Sequence, residues 1–235
     1  MTLAAPSWLT AIGESLTPLE SARLLAALPD LALQPRGKGE AVVVLPGYGA
    51  SDTSTRPLRG YLSWLGYAVE GWNLGRNRGD VQNFVRAVSQ KIQRQCDASG
   101  APVHLVGWSL GGVIAREVAR ENPDQVQQVI TMGSPLVGGP KYTTMGRLFE
   151  RQGANLDELE ARIAARESKP IRVPVTSIFS KRDGVVGWQA SIDKHSPEAD
   201  NIEVGTTHLG LGISPDVYRI IARKLAYYLR PGEEK

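Results

Sequence analysis

The sequence predicts an α/β protein with a mostly parallel central sheet of about six strands and helices on both faces. Short apolar segments alternate with longer segments whose apolar residues recur at helical spacing, as in strand–helix–strand units. The first apolar segment, residues 41–46, has no polar side chain (AVVVLP), as expected of a strand buried on both faces. With 235 residues, 42% hydrophobic and 22% charged, the chain can form one large domain over 1–235.

The predicted elements follow this alternation. Strands are predicted at residues 41–46, 67–72, 103–107, 126–132, 174–179 and 201–204. Helices are predicted at 56–65, from Asp80, over 110–122 and from Ser214 onward. The helix capped by Asp80 is the clearest, because its apolar residues share one face: Val81, Phe84, Val85, Val88 and Ile92. In a sheet of this kind the ligand site lies outside the carboxyl ends of the strands.

Residues 1–35 are predicted to form an N-terminal helical extension. The string TPLE at 17–20 has the form of a capping box, with Thr17 as the N-cap and Glu20 reaching back to it. Acidic side chains outnumber basic ones in this segment, which disfavours a membrane-surface role. We therefore expect its apolar face to pack against the core: Trp8, Leu9, Ile12 and Leu16.

A long connection at residues 138–170 separates the fourth and fifth predicted strands. It is rich in charged residues, and Leu156, Leu159 and Ile163 form a narrow apolar stripe at helical spacing. This pattern predicts a short helical lid or cap insertion. Connections of this length often serve a functional site, so we expect it at the site entrance, either as a mobile lid or as a fixed cap.

Charge and composition exclude several classes of protein. The 27 basic and 24 acidic residues give a net charge of +3 without a run of like charges, so no nucleic-acid partner is expected. Cys96 is the single cysteine, and with three scattered histidines it offers no metal-ligand spacing, so neither a metal nor a cofactor is expected. No transmembrane segment and no secretory signal are expected, which favours a cytoplasmic location. The oligomeric state is left open.

The main chemical signal is the string GWSLG at 107–111, a G-x-S-x-G pattern. The string alone is weak, but here it joins a predicted strand to a predicted helix. That setting exposes a serine hydroxyl on a sharp, strained turn. The helix N-terminus also presents free N–H groups to a developing negative charge. Ser109 is therefore the candidate nucleophile.

A serine hydroxyl needs a base to act as a nucleophile, and the sequence contains three histidines. His104 lies inside the strand before the turn, as a structural residue would, and His195 lies in a polar loop. His208 follows the last predicted strand, at the sheet edge where the site is expected. We therefore predict His208 as the base.

The base needs a carboxylate that orients it. Asp183 directly follows the fifth predicted strand and so lies at the same edge. Asp183-Gly184 is also a turn signal, and the two roles are compatible. Asp193 and Asp200 are alternatives, further along the next connection.

Two backbone N–H groups are candidates for an oxyanion hole. One belongs to Leu110, the residue after the nucleophile. The other belongs to Tyr48, in the loop PGYGAS that follows the first strand. A glycine-rich loop can also bind phosphate, but this loop lacks the lysine and the spacing of the phosphate-binding strings.

Five strings resemble the small bacterial lipase-like enzymes of the α/β-hydrolase fold: VVVLPGYGAS, LVGWSLGG, TMGSPLVGG, FSKRDGVVGW and THLGLG. The resemblance extends from about residue 40 to residue 230, and it implies Ser109 as nucleophile, Asp183 as acid and His208 as base, in the chain order of that fold. The chain departs from the family in its helical residues 1–35, where antiparallel strands are usual. It departs again at Pro46 and at Trp108, two positions where enzymes of this family often have histidine.

The resemblance implies a serine esterase or lipase that cleaves carboxylic esters through an acyl-enzyme on Ser109. The expected substrate is a small-molecule or lipid ester, and the candidate residues of its pocket are Gly47, Trp108, Val186 and Trp188. Two alternatives stay open: an acyltransferase that uses the same acyl-enzyme, and a binding protein that keeps the fold without turnover.

Overall fold

A computed structural model describes residues 3–228, except for residues 152, 154 and 198 and the side chain of Leu9. The strands in this part of the chain are β1 (Ala41–Leu45), β2 (Ala68–Gly71), β3 (Val103–Trp108), β4 (Val126–Met132), β5 (Val175–Phe179) and β6 (Ala199–Glu203). They form one sheet in the order β2-β1-β3-β4-β5-β6. All neighbouring strands are parallel, so the predicted sheet is confirmed.

The strand order places a crevice at the carboxyl edge of the sheet. β1 lies between β2 and β3. The chain therefore adds β2 on one side of β1 and then places β3 to β6 on the other side. At such a reversal the loops that leave neighbouring strands diverge and make room for a ligand. The residues that follow β1 and β3 therefore flank the favoured position for a site.

The helices of the described residues are α1 (Trp8–Gly13), α2 (Thr17–Ala26), α3 (Leu28–Leu31), α4 (Asp52–Trp64), α5 (Val81–Ser99), α6 (Leu110–Glu121), α7 (Gly146–Arg151), α8 (Leu156–Glu167) and α9 (Pro215–Tyr227). α4 begins at Asp52 rather than at the predicted residue 56. The carboxylate of Asp52 accepts the N–H groups of Trp72 and Asn73 (3.0 Å each), which fastens the start of α4 to the end of β2. In this part of the chain, no helix has the length and apolar content needed to cross a bilayer.

Helices cover both faces of the sheet, and alternate residues of each strand face opposite layers. On one face, Leu62 of α4 and Ile221 of α9 pack in a cluster that contains Val44. On the other face, Ile114 of α6 packs in a cluster that contains Val43. These side chains are fully buried, so the core lies in two layers that hold the sheet rigidly between them.

The N-terminal helical segment (residues 8–31) does not pack as its apolar pattern predicted. Three of its apolar side chains are largely exposed: Trp8 (70%), Ile12 (60%) and Leu16 (58%). The side chain of Leu9 lies outside the described residues. The expected packing of this face is therefore wrong for those three residues. The first part of the segment instead contacts the rest of the domain through Glu14 and Thr17, which bind the loops that follow β5 and β6. At its end, Leu31 is buried in the core cluster that contains Val44.

The capping box predicted at residues 17–20 is also wrong. A 3-10 turn at Glu14–Leu16 leads directly into α2, so Thr17 already has helical dihedral angles (φ −50°, ψ −37°) and cannot act as an N-cap. Its hydroxyl donates to the carbonyl of Glu14 (2.7 Å). Glu20 pairs with Arg23 (2.8 Å) instead of reaching back.

The connection at 138–170 contains a 3-10 turn at Gly139–Tyr142, followed by α7 and α8. Glu167, at the end of α8, pairs with Arg116 and with Arg120 of α6 (2.9 Å each). These ion pairs are shielded from solvent, so they fasten this end of the insertion to the helix that follows Ser109.

Candidate active site

A strained turn at Ser109 joins β3 to α6. Its φ of 54° and ψ of −123° lie where a residue with a Cβ is rarely found. The N–H of Ser109 donates to the carbonyl of Met132 (2.8 Å), and the N–H of Gly112 donates to the carbonyl of Ser109 (3.0 Å). These hydrogen bonds connect the turn to β4 and to α6. Ser109 remains partly exposed.

Gly107 allows α6 to approach the sheet at this turn. A Cβ added to Gly107 would lie 2.4 Å from the Cα of Gly112 and 2.5 Å from the carbonyl oxygen of Gly111. These contacts are with backbone atoms that cannot swing away. A larger residue would therefore push the start of α6 off β3 and distort the turn.

Asp183 and His208 form a buried pair beyond the carboxyl ends of β5 and β6. Asp183 Oδ2 and His208 Nδ1 are 2.7 Å apart. The other carboxylate oxygen of Asp183 accepts the N–H groups of Val185 (2.8 Å) and Val186 (2.7 Å), so the carboxylate is held from both sides. If the Nδ1 proton is donated to Asp183, Nε2 of the neutral ring is left as a proton acceptor.

Gly133 connects this pair to the turn at Ser109. It directly follows β4 and has a φ of 53°. A Cβ there would lie 2.9 Å from Asp183 Oδ2 and 3.0 Å from His208 Nδ1. The carbonyl of the preceding residue, Met132, accepts the N–H of Ser109. The three candidate side chains therefore lie at one edge of the sheet, around the end of β4.

Within the described residues, no hydrogen bond joins the hydroxyl of Ser109 to the ring of His208. The ring of Trp108 lies beside that of His208, with centroids 6.2 Å apart. In structures without substrate, catalytic hydrogen bonds are often long and tighten only when substrate binds.

The loop after β1 brings backbone N–H groups to the same turn. A Cβ at Gly47 would lie 3.1 Å from the Cβ of Ser109, so this loop contacts the candidate nucleophile. The next N–H, that of Tyr48, has no acceptor among the described residues. Leu110 begins α6, where the first N–H groups have no partner within the helix. Both predicted oxyanion donors therefore lie next to Ser109.

Asn77 is a residue of this site that the sequence analysis missed. Its side chain is fully buried, and its Nδ2 donates to the carbonyl of Pro46 (3.0 Å). Its backbone carbonyl accepts the N–H of Gly49 (2.7 Å), and its N–H donates to the carbonyl of Ala50 (2.8 Å). Asn77 thus fixes the loop that carries Tyr48. Its place after the second predicted strand puts it at the expected edge of the sheet, but its bonds go to backbone atoms of a distant segment and have no sequence signal of their own.

Residues 5–229 match the profile of a family described as the alpha/beta hydrolase family. The chain belongs to the alpha/beta hydrolase family. The fold class and the resemblance predicted from the sequence are thereby confirmed.

Two relatives of this alpha/beta hydrolase are pimeloyl-[acyl-carrier protein] methyl ester esterases. The protein of Shewanella woodyi is 28% identical over 108 residues, which are 44% of this chain and 40% of the relative. The protein of Shewanella sp. strain MR-7 is 31% identical over 110 residues, which are 45% of this chain and 39% of the relative. The matches therefore span about two fifths of the length of these curated relatives.

A solved structure with the same architecture is a monoacylglycerol lipase of Paleococcus ferrophilus. It superposes with a TM-score of 0.63 and 16% identity, over 83% of this chain and 97% of that one. At this identity the likeness shows the fold alone.

The predicted pocket residues of the alpha/beta hydrolase fall into two groups. Gly47 contacts Ser109, and the ring of Trp108 lies beside that of His208. Val186 is buried, and its N–H donates to Asp183. Trp188 packs differently: its ring stacks on that of Phe179 at 5.9 Å, and the amine of Lys181 lies 5.5 Å from its centre. The contacts of Trp188 are thus with the end of β5 and the residues after it.

The insertion at 138–170 touches two loops of the site. Phe149 of α7 packs edge-on against Tyr48, with ring centroids 5.2 Å apart. Thr143 pairs with Val186 in an isolated antiparallel bridge. The insertion therefore lies against the loop of the oxyanion donor and against the loop of Asp183. Its function as a lid or cap stays a prediction.

The alternative acids and one alternative base lie elsewhere in the alpha/beta hydrolase. Asp193 pairs with Arg116, and Asp200 pairs with Lys224 (2.6 Å). His195 is exposed in its loop. In the part of the chain that the structure describes, no three His, Cys, Asp or Glu side chains are grouped as metal ligands.

His104, the remaining histidine, is buried inside β3. Its Nδ1 lies 3.1 Å from Nε2 of Gln128 on the neighbouring strand. Burial lowers the pKa of His104 to about 4, against the smaller opposing effect of the Glu40 charge. His104 is therefore a neutral residue of the sheet interior at physiological pH.

Acidification is expected to destabilise the protein through His104. The pKa of His104 is about 6.5 in the unfolded chain and about 4 in the folded protein, so between these values only the unfolded state binds the proton. Its contribution to stability, about 3 kcal/mol, is complete above pH 6.5 and is lost as the pH falls through 4. In urea unfolding at a series of pH values, His104→Gln should flatten this dependence. An equally steep dependence in the variant would contradict the assignment.

Proposed function

We propose that this alpha/beta hydrolase cleaves carboxylic esters through an acyl-enzyme on Ser109, with His208 as the base and Asp183 as the acid that orients it. One observation carries the proposal. The buried pair of Asp183 and His208, 2.7 Å apart, lies at the sheet edge where Ser109 stands on its strained turn. The names of the relatives, which are methyl ester esterases, support the same class of reaction.

In the first half-reaction, Nε2 of His208 takes the hydroxyl proton of Ser109 while Oγ bonds to the ester carbonyl carbon. The carbonyl electron pair moves onto oxygen, where the N–H groups of Tyr48 and Leu110 stabilise the negative charge. The bond to the alcohol oxygen then breaks, and that oxygen takes the proton from His208. Asp183 keeps the ring in one tautomer and stabilises its transient positive charge.

In the second half-reaction, water replaces the alcohol. His208 takes a proton from the water as its oxygen attacks the acyl carbon, and it returns that proton to Oγ of Ser109 when the acyl bond breaks. The products are a carboxylic acid and the free enzyme. The imidazole of His208 therefore passes the proton of Ser109 to the alcohol and a proton of water to Ser109.

Acyl transfer to an alcohol is a second candidate function. It uses the same acyl-enzyme, with an alcohol in the place of water. It is suggested by the ring of Trp108, which lies beside that of His208 with centroids 6.2 Å apart. If that ring also bordered the bound nucleophile, it would favour the hydrocarbon part of an alcohol over bulk water.

Labelling with a fluorophosphonate probe tests the proposal. The probe is expected to bond to Oγ of Ser109, because the activated hydroxyl attacks phosphorus as it would a carbonyl carbon. Mass spectrometry should locate the adduct on Ser109. The same preparation should hydrolyse p-nitrophenyl esters, and a series of acyl lengths from acetate upward measures its preference. Added methanol then divides the products between acid and methyl ester, which separates hydrolysis from transfer.

Two variants control the labelling. Ser109→Ala should fold normally, take no probe and lose ester hydrolysis. Ser15→Ala, which changes an exposed serine of the N-terminal segment, should label like the wild type. Folded wild-type protein that takes no probe and cleaves no ester would contradict the proposal and favour a binding protein.

A further inference from the structure

We propose that Glu14 is a positioning residue, which acts through the backbone of the two loops that carry Asp183 and His208. The carboxylate comes from the N-terminal helical segment, outside the sheet and its covering helices. The inference rests on the proposed function, because it assigns Glu14 a part in aligning the acid and the base of that reaction.

Three backbone N–H groups converge on the carboxylate of Glu14. Oε1 accepts the N–H of Gly184 (2.8 Å) and the N–H of His208 (2.8 Å), and Oε2 accepts the N–H of Leu209 (2.8 Å). Gly184 directly follows Asp183, and the second donor is the backbone of His208 itself. One carboxylate therefore binds both catalytic loops beside their functional side chains.

The two loops need such a link because the sheet does not extend to them. The paired register of β5 and β6 ends at Phe179 and Glu203, several residues before Asp183 and His208. A side-chain bond closer to the strands, from the hydroxyl of Ser180 to the carbonyl of Thr206, also joins the loops. The guanidinium of Arg182 also donates to the carbonyl of Gly205 (3.4 Å). Glu14 adds a link at the functional residues themselves, where a shift changes the distance between the carboxylate of Asp183 and the imidazole of His208.

The chemistry of the link requires a carboxylate. Its two oxygens can accept several N–H groups at once, and charge-assisted bonds of this kind are stronger than bonds between neutral groups. A glutamine in the same place would keep the oxygen for Gly184 and His208. It would turn its NH2 group toward the N–H of Leu209, where two donors would face each other.

The N-terminal helical segment, which carries Glu14, has further contacts with the rest of the domain. Thr17 Oγ1 lies 3.1 Å from Thr207 Oγ1, in the residue before His208. Farther along, Arg23 pairs with Asp216 of α9 (2.9 Å), and Asp30 pairs with Arg219 of α9. These ion pairs hold the segment without touching either catalytic loop, so they offer a control for mere attachment.

The experiment compares three full-length variants with the wild type. Glu14→Ala removes all three bonds, Glu14→Gln removes one, and Asp30→Asn weakens attachment of the segment at a distance. We expect kcat for a p-nitrophenyl ester to fall roughly 10- to 100-fold in Glu14→Ala and roughly 3- to 10-fold in Glu14→Gln, because small misplacements of catalytic groups have effects of this size. KM should change little, since Glu14 does not line the predicted pocket. Asp30→Asn should stay within about twofold of the wild type.

A spectroscopic signal separates positioning from loss of fold. The proton between Nδ1 of His208 and Oδ2 of Asp183 should give a low-field NMR resonance in the wild type and in Asp30→Asn. In Glu14→Ala that resonance should broaden or move upfield, while the thermal unfolding transition persists. If Glu14→Ala does not fold, Glu14→Gln carries the same comparison.

Two results would overturn the inference. One is full kcat with an unchanged resonance in Glu14→Ala, or in Glu14→Gln if the alanine variant does not fold. The other is an equal loss in Asp30→Asn, since the effect would then come from attachment alone. Undiminished hydrolysis by Ser109→Ala is a separate result, which would overturn the proposed function and the inference with it.

Discussion

Replacing His208 with glutamine is expected to lower turnover of a chromogenic ester by about 10⁴- to 10⁶-fold, since the members of a triad act as a unit. Glutamine can still bond to Asp183, which lies 2.7 Å from the imidazole. It cannot take the proton of Ser109, because an amide is not a base at neutral pH. The residual rate is measured with the p-nitrophenyl ester that the wild type cleaves best.

The other two histidines provide matched controls. His104→Gln changes a buried residue that contacts Gln128, and His195→Gln changes an exposed loop residue. Both should keep kcat within about threefold at neutral pH, because neither ring lies at the carboxyl edge of the sheet. A loss in His195→Gln as deep as that in His208→Gln would contradict the assignment of the base.

Replacing Asp193 with alanine is expected to destabilise the fold by about 3 kcal/mol, the cost of leaving a buried charge without its main partner. Asp193 is fully buried against Arg116, and Arg116 is itself almost inaccessible. Burial alone would raise the pKa of Asp193. The charge of Arg116 and the bonds from Ser196 and His195 outweigh it, so this pKa lies below its usual value. Urea unfolding at neutral pH measures the loss.

Two variants separate this buried aspartate from Asp183, the proposed catalytic acid. Asp183→Asn should lower kcat by about 10⁴-fold, because the amide favours the wrong tautomer of His208. Asp193→Ala should keep its specific activity under conditions where it is folded. Asp157→Ala, which removes an exposed partner of Lys141, should cost less than about 1 kcal/mol. If Asp193→Ala were as stable as the wild type, the buried pair of Asp193 and Arg116 would not stabilise the fold.

The sheet could be predicted from the sequence because its strands are buried on both faces. Val42, Val43 and Val44 are all fully buried, so they form an apolar run without the alternation of a half-exposed strand. The parallel arrangement follows from the helical segments between the strands. The first residue of α4 could not be predicted in the same way, because Asp52 fixes it through hydrogen bonds to residues after β2.

The packing of the N-terminal segment could not be predicted from its periodicity. A stripe that contains Trp8, Ile12 and Leu16 indicates an amphipathic helix, but it does not say which side meets the body. Here the polar side does, because Glu14 satisfies backbone N–H groups of loops that are remote in sequence. An apolar stripe is usually buried, but here the hydrogen bonds from these N–H groups hold the opposite side of the segment against the domain.

The main residues of the candidate site could be predicted from the sequence for a different reason. Ser109, Asp183 and His208 each follow a predicted strand, and the carboxyl ends of parallel strands meet at one edge. Asn77 also follows a predicted strand, at residues 67–72, whereas Glu14 follows none. Their bonds run to backbone atoms, whose positions depend on the folded loops rather than on any residue type that a sequence displays.

The backbone at Ser109 also limits which amino acids evolution can place there. Threonine carries a comparable hydroxyl, so chemistry alone would permit it as a nucleophile. Its branched Cβ makes a φ of 54° a strongly disfavoured conformation. The torsion angles at residue 109 therefore favour serine over threonine as the proposed nucleophile, before any difference in reactivity is considered.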